Sequence, residues 1–255
     1  MSLTRMRGRM FELDVFEIIM LATSALIVGF SKVGIQGAII PAVAMMALIF
    51  GGKNSSGIML PMVIVGDLIA IFKYGKKGNI ADVLKLIPAS IVGVVAGAIV
   101  GNWINDAQFK FLIGIIVILC IILLIVREYQ QEAIVLPDNP LIKGAVGTLS
   151  GFSSMIGNAA GPIFNVYILT QQLKKESMIG TVAWFFFLVN LIKLPFHIFL
   201  WGTINSDTVK FTVFSIPFIV VGALVGIWLI KRINDVWYRR FIIIVTVLTA
   251  LRLIL

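Results

Sequence analysis

Hydrophobic positions along this chain fall in long runs separated by short polar clusters. The runs are Leu13 to Phe30, Ala38 to Phe50, Ile58 to Phe72, Val83 to Ile104, Phe109 to Val126, Leu141 to Phe152, Ile163 to Leu173, Met178 to Trp201, Val209 to Ile230 and Trp237 to Leu255. A bilayer core of about 30 Å takes roughly 20 apolar residues per helical crossing, and most of the runs approach that length. The pattern predicts an all-α integral membrane protein with ten apolar segments in two sets of five. Arg127 to Pro140 separates the sets, and Pro137 and Pro140 argue against a helix running through it.

The two sets are copies. Gly97-Ala98-Ile99-Val100-Gly101-Asn102-Trp103 recurs as Gly222-Ala223-Leu224-Val225-Gly226-Ile227-Trp228, 125 residues later. Gly29-Phe30-Ser31, Gly78-Asn79-Ile80 and Ile104-Asn105-Asp106 are echoed in the same order by Gly151-Phe152-Ser153, Gly202-Thr203-Ile204 and Ile233-Asn234-Asp235. The expected organisation is an N-terminal arm (1–12), a first transmembrane repeat (13–127), a linker (128–140) and a second repeat (141–255). The first two runs of the second copy have only about 12 residues, about 18 Å at 1.5 Å per residue. Short, glycine-interrupted segments at corresponding places in both halves mark discontinuous helices at a transporter's binding site. Each half is therefore expected to carry a glycine-broken helical hairpin, re-entrant or spanning, plus three transmembrane helices.

Composition sharpens this. Of 255 residues 60% are hydrophobic and 13% charged, against about 25% charged in soluble domains, which excludes soluble enzymes, nucleic-acid-binding modules and disulfide scaffolds together. The net charge of +9 then reports topology, since Lys and Arg collect in cytoplasmic loops. With each short pair returning to its own side, twelve basic residues share one face, and Arg5, Arg7, Arg9, Lys53, Lys110, Lys210 and Arg252 lie on the other. Treating each pair as one broken crossing gives eleven against eight, a weaker bias. The expectation is an inverted repeat with both termini outside. Acidic Glu12, Asp14 and Glu17 interrupt the N-terminal apolar run, which reads as a retained first helix, not a cleaved signal. The single cysteine, Cys120, allows no intrachain disulfide.

Few residues can carry chemistry. Two stretches, Gly29 to Gly37 and Gly151 to Pro162, mix glycine with polar side chains inside apolar sequence, and non-helical backbone at membrane depth survives only inside protein or along a wet cavity. A half-helix starting there presents free N–H groups and a positive dipole end. Candidate substrate contacts are Lys32, Gly34, Gln36 and Gly37 at the first break and Ser153, Ser154, Gly157, Asn158 and Gly161 at the second. An intramembrane lysine is costly unless paired or hydrated, so Lys32 is read as attracting an anion, with snorkelling to a headgroup as the alternative. Asp67 has Asn190 as its counterpart in the second copy, and Lys193, a turn from Asn190, is the candidate partner for it. His197 lies one turn further. These four are expected to line the pocket or couple it to protons, the candidate co-transported ion. The glycine ladders Gly93, Gly97, Gly101 and Gly222, Gly226 suit close helix packing. No Walker A, HExxH or paired-carboxylate motif is present, so no cofactor, metal site or enzymatic activity is expected.

The break Gly34-Ile35-Gln36-Gly37 to Pro41, its copy Gly157 to Pro162, the Tyr74 to Ile80 loop and the duplicated Gly-Ala-x-Val-Gly-x-Trp together resemble the sulfite exporter TauE/SafE family over nearly the whole chain. The resemblance implies a secondary transporter in a bacterial inner membrane, exporting a small sulfur-containing or organic anion such as sulfite, sulfoacetate or a related sulfonate. The alternatives are a cation or metal permease using Asp67 and a non-transporting membrane scaffold.

Overall fold

The computed structural model describes residues 13–33, 38–129, 139–171 and 173–229. Gly34, Gln36 and Gly37, most of the linker and the tenth apolar run lie outside the described residues. Among those described there are nine α-helices and no strands. They are α1 (Val15–Val33), α2 (Ile39–Phe50), α3 (Gly52–Tyr74), α4 (Ile80–Trp103), α5 (Asp106–Tyr129), α6 (Pro140–Gly157), α7 (Gly161–Thr170), α8 (Lys175–Pro195) and α9 (Ser206–Leu229). A 3-10 turn, Gly75–Lys77, follows α3, and a π-helical turn, Phe196–Leu200, follows α8. Five helices, α1, α3, α4, α8 and α9, are long and apolar enough to cross a membrane. Phe72, Trp103 and Phe199 stand almost fully exposed on the outside, an apolar surface that suits lipid, not water.

Helices α4, α5 and α6 start one to three residues before their apolar runs, where polar caps, not hydrophobicity, set the first turn. Asn105 and Gln108 exchange backbone-to-side-chain hydrogen bonds (2.9 and 3.0 Å) at the start of α5, and Asp14 and Glu17 do the same at α1. Such reciprocal caps satisfy N–H groups that have no partner inside the helix. Asn139 caps α6 through Leu141 N, with Pro140 at the first helical position.

The short hairpins are present, but their breaks are narrower than the glycines suggested. Helix α6 runs 18 residues, about 27 Å, through Gly151, Ser153 and Ser154 to Gly157; α1 likewise continues past Gly29 to Val33. Gly29 and Gly151 are close-approach positions inside helices. A Cβ on Gly29 would stand 1.9 Å from the Ile219 carbonyl oxygen, and one on Gly151 would stand 2.2 Å from that of Ser90. The second break is Asn158 to Ala160, with Asn158 in the left-handed region at φ 55°. The short members α2 (12 residues) and α7 (10 residues) are about 18 and 15 Å long.

Packing follows the duplication. Helix α1 lies along α9 and α4 along α6 as the two largest interfaces, each being the first helix of one half against the fourth of the other. Gly222 abuts the Leu26 carbonyl and Gly226 meets Phe30 and Val33; Gly93 abuts the Thr148 carbonyl and Gly97 meets Phe152 and Met155. The contacts match when Gly93 and Gly97 take the places of Gly222 and Gly226, one turn away from the register that the Gly-Ala-x-Val-Gly repeat suggested. Pro88 and Pro217 also coincide in this register.

Helices α3 and α8 face each other. Gly57, in the second turn of α3, abuts Thr203 beyond α8, while Gly180, near the start of α8, abuts Tyr74 and Gly78 at the far end of α3. The two run antiparallel, and their buried polar residues Asp67 and Asn190 meet in the protein interior.

Candidate functional site

Asp67 sits about two-thirds of the way along α3 and is fully buried. An isolated carboxylate there would be untenable, and two other helices supply its partners. Lys32, in the last turn of α1, places Nζ 2.8 Å from Asp67 Oδ1. The lysine stem passes directly over Gly66, where a Cβ would stand 2.8 Å from Lys32 Cγ, so the glycine makes room for the cation to reach its carboxylate. On the other side Asn190 of α8 donates Nδ2 to Asp67 Oδ2 at 2.7 Å. Asn190 is the residue that the duplication aligned with Asp67, so the corresponding side chains of the two halves touch.

Lys193 extends the network. Fully buried, it donates to Asn190 Oδ1 (3.1 Å), Asn158 Oδ1 (2.5 Å) and Ser154 Oγ (3.2 Å). The bond to Oδ1 fixes which way the Asn190 amide points: with Oδ1 held by an ammonium, Nδ2 is turned toward Asp67. Asn158 is fixed in the same way, donating Nδ2 to the Ser56 carbonyl at 3.1 Å, while Ser56 Oγ donates to the Met155 carbonyl at 3.1 Å. The left-handed residue that ends α6 thus ties the second break to α3 and α8 at once.

A pocket of about 340 Å³, its open mouth included, is lined by Ser31, Lys32, Ile39, Asp67, Asn158, Gly161, Val182, Ala183 and Phe186. Phe186 presents its ring 5.0 Å from Lys32 Nζ, a cation–π contact that favours the ammonium without neutralising it. Gly161 opens α7, so the first turn of a half-helix faces the pocket with its positive dipole end. Two lysine side chains, one aspartate and this helix end converge on the centre, so its basic groups outnumber the acidic one.

Several predicted residues meet here. Lys32, Asp67, Asn158 and Gly161 line the pocket, and Ser154, Asn190 and Lys193 form the polar layer behind it. The expected Asp67–Lys193 pair does not form: Lys32 takes the carboxylate, and Lys193 connects to it through Asn190. Ser153 is buried in α6, and its carbonyl caps the break by accepting from Ala159 N. Gly157 is roomy, with no atom closer than 3.6 Å to a Cβ built there. His197 lies outside the pocket, in the π-helical turn, with Nδ1 2.8 Å from Thr203 Oγ1 and its ring edge-on to Trp201. Ser31, Gly66 and Phe186 were not selected from sequence, and Ser56 was one of several polar residues near the breaks that nothing singled out. Phe186, one of three consecutive phenylalanines in an apolar helix, carried no signal, whereas Gly66, adjacent to Asp67, was a readable one.

Against known proteins, the family model described as "Sulfite exporter TauE/SafE" matches residues 19–253. No curated protein matches the chain significantly.

Proposed function

The chain belongs to the sulfite exporter TauE/SafE family, a family of membrane transporters, and from that premise we propose that it carries a small sulfur-containing or organic anion outward by alternating access. Sulfite, sulfoacetate or a related sulfonate is the proposed cargo, and a bacterial inner membrane, implied by the family resemblance alone, the proposed location. The observation that carries this reading is the pocket between the halves, where Lys32, the α7 N-terminus and, behind them, Lys193 outweigh the single carboxylate of Asp67. Preorganised donors of this kind suit a tetrahedral or pyramidal oxyanion.

We further read residues 13–127 and 141–255 as inverted repeats. Equivalent helices that touch across a pseudo-two-fold axis run parallel when the axis is normal to the membrane and antiparallel when it lies in the membrane plane. The antiparallel course of α3 and α8 supports the second case, and so does the twelve-to-seven distribution of basic residues. Rocking of one repeat against the other about the Asp67–Asn190 contact would then expose the pocket to each side in turn.

A cation permease using Asp67 has less support, because an ammonium already occupies that carboxylate. A thermal-shift screen of detergent-purified protein against sulfite, thiosulfate, sulfoacetate, taurine, acetate, chloride and divalent cations tests the reading, since a ligand of the native state raises its stability by mass action. The expected result is selective stabilisation by a sulfur oxyanion or sulfonate, lost in the charge-neutral double variant Lys32→Gln, Asp67→Asn. Stabilisation by divalent cations alone would favour the permease.

A further inference from the structure

The pocket's own cation is already covered. Lys32 and Asp67 both line the cavity, and with Nζ 2.8 Å from Oδ1 an anion entering meets an ammonium held by the chain's carboxylate. Resting on the transport reading above, we propose that Asp67 is a built-in competitor of the substrate. An arriving anion takes Lys32 from Asp67, and the displaced carboxylate takes up a proton, so anion and proton are bound and carried together.

The exchange balances. A carboxylate–ammonium pair, one anion and one proton from the aqueous phase that the pocket faces become a carboxylic acid and an ammonium–anion pair. No covalent bond to the anion forms. The proton goes to Asp67 Oδ1, the oxygen that leaves Lys32. The other oxygen, Oδ2, keeps its hydrogen bond from Asn190 Nδ2, because a donor amide serves the C=O of an acid as well as a carboxylate. Lys193 locks the amide in that orientation through Asn190 Oδ1. Without the proton, an anion on Lys32 would lie beside an ionised Asp67 in a buried site, two like charges within a few ångströms.

The surroundings leave Asp67 as the group positioned for this. Lys32 from α1 and Lys193 from α8 are the charged groups acting on it. His197 lies beyond Lys193 with Nδ1 on Thr203. Helix α2 has no titratable side chain. Asp106 and Lys110 of α5, Lys143 of α6, and Asp207 and Lys210 of α9 occupy the first two turns of their helices and do not act on Asp67, and Cys120 of α5 bonds the Ala159 carbonyl. A monoanion loaded with one proton leaves the net charge of the site as it was when empty, and a dianion loaded with one proton lowers it by one, so only for a monoanion do the empty and loaded forms respond alike to membrane voltage.

The test uses thiosulfate and sulfoacetate, which do not themselves titrate at neutral to mildly alkaline pH, and measures their affinity for the full-length purified protein as pH is raised. Uptake of one proton on binding weakens the wild-type affinity by about tenfold per pH unit. Asp67→Asn is expected to bind with no pH slope and at least as tightly as wild type at the alkaline end; Asp67→Glu is expected to keep the slope. Infrared difference spectra of the wild type, which need no variant to fold, are expected to gain a carboxylic acid band when the anion is added. A flat wild-type affinity, absence of that band, or a slope that survives in Asp67→Asn would overturn the proposal. Absence of binding by both anions would overturn the transport reading with it, whereas binding without a slope removes only the coupling.

Discussion

The outer interfaces of this protein are near copies of each other, while the centre is not. Helix α1 meets α9 as α6 meets α4, with Gly222 and Gly93 each against a backbone carbonyl and Gly29 and Gly151 doing the same from the other side. At the α3–α8 contact the copies have diverged: Asp67 faces Asn190, Lys32 corresponds to Ser154, and Lys193 stands where the first half has Ala70. Charge has been placed unequally on the duplicated frame, with the ion pair in the first half and the lone ammonium in the second.

The largest effect is expected where the copies agree. Gly29→Leu and Gly151→Leu each drive a branched side chain into backbone less than 3 Å away. Ordinary overpacking costs roughly 1–3 kcal/mol because side chains can shift; here the obstacle is a main-chain carbonyl, and no folded protein should be recovered on size-exclusion chromatography. Gly157→Ala is the control: its Cβ meets only ordinary contacts, so the helix gains about 0.4–1 kcal/mol. A tolerated Gly151→Leu beside a lethal Gly29→Leu would break the equivalence of the two interfaces.

The next effect separates the two charges of the pair. Lys32→Met leaves a fully buried carboxylate and is expected to cost about 3–5 kcal/mol in denaturant-induced unfolding. Asp67→Asn should cost less, because the ammonium it leaves faces the pocket. Replacing both, Lys32→Met with Asp67→Leu, should recover most of the loss, since a buried pair contributes little net stability. Equal costs for the two single variants would show that Lys32 does not reach the pocket water.

Asn190→Asp makes the second half resemble the first. The new carboxyl would lie 3.1 Å from Lys193 Nζ and 2.7 Å from Asp67 Oδ2, so it either adds negative charge to the centre or shares a proton with Asp67, and in both cases disfavours an incoming anion. Anion affinity should fall by tenfold or more, about 1.4 kcal/mol, in the same thermal-shift or binding assay. Unchanged affinity would mean that Lys193 serves only to hold Asn158 and Ser154.

Much of this was legible in the chain. The apolar runs placed every described helix to within a few residues, and the duplication matched Asp67 with Asn190 before any contact between them was visible. The pairing of Lys32 with Asp67 was not legible. Helices that are apolar nearly all round carry almost no phase in their sequence, so nothing indicated which face of α1 meets α3, and Lys193 looked the better partner because it shares a helix with Asn190. The same lack of phase put the glycine ladder one turn out of register: with glycine at every fourth position, a one-turn slip preserves the pattern. Helix α6 outlasts Gly151 for a related reason. The glycine there accommodates the Ser90 carbonyl of a neighbouring helix, a role that local sequence cannot distinguish from a break.

The smallest effect belongs to the end of the α3–α8 contact, where charge is most visible and matters least. Lys77 and Glu176 form an ion pair across the halves, each more than half exposed. Water and salt screen such pairs, and both side chains lose rotamer freedom in forming them, so Lys77→Ala should change stability by less than about 1 kcal/mol. The same loop is held from beneath by neutral bonds: Asn79 N donates to Thr181 Oγ1 at 2.9 Å and Trp184 Nε1 to the Gly75 carbonyl at 3.2 Å. Thr181→Val leaves the partly buried Asn79 N–H without its acceptor and should cost about 1–3 kcal/mol, with no dependence on ionic strength. If Lys77→Ala proved the more damaging of the two and salt reproduced its effect on the wild type, the halves would be joined at this end by charge, and the neutral, close-packed contact described for α3 and α8 would be wrong there.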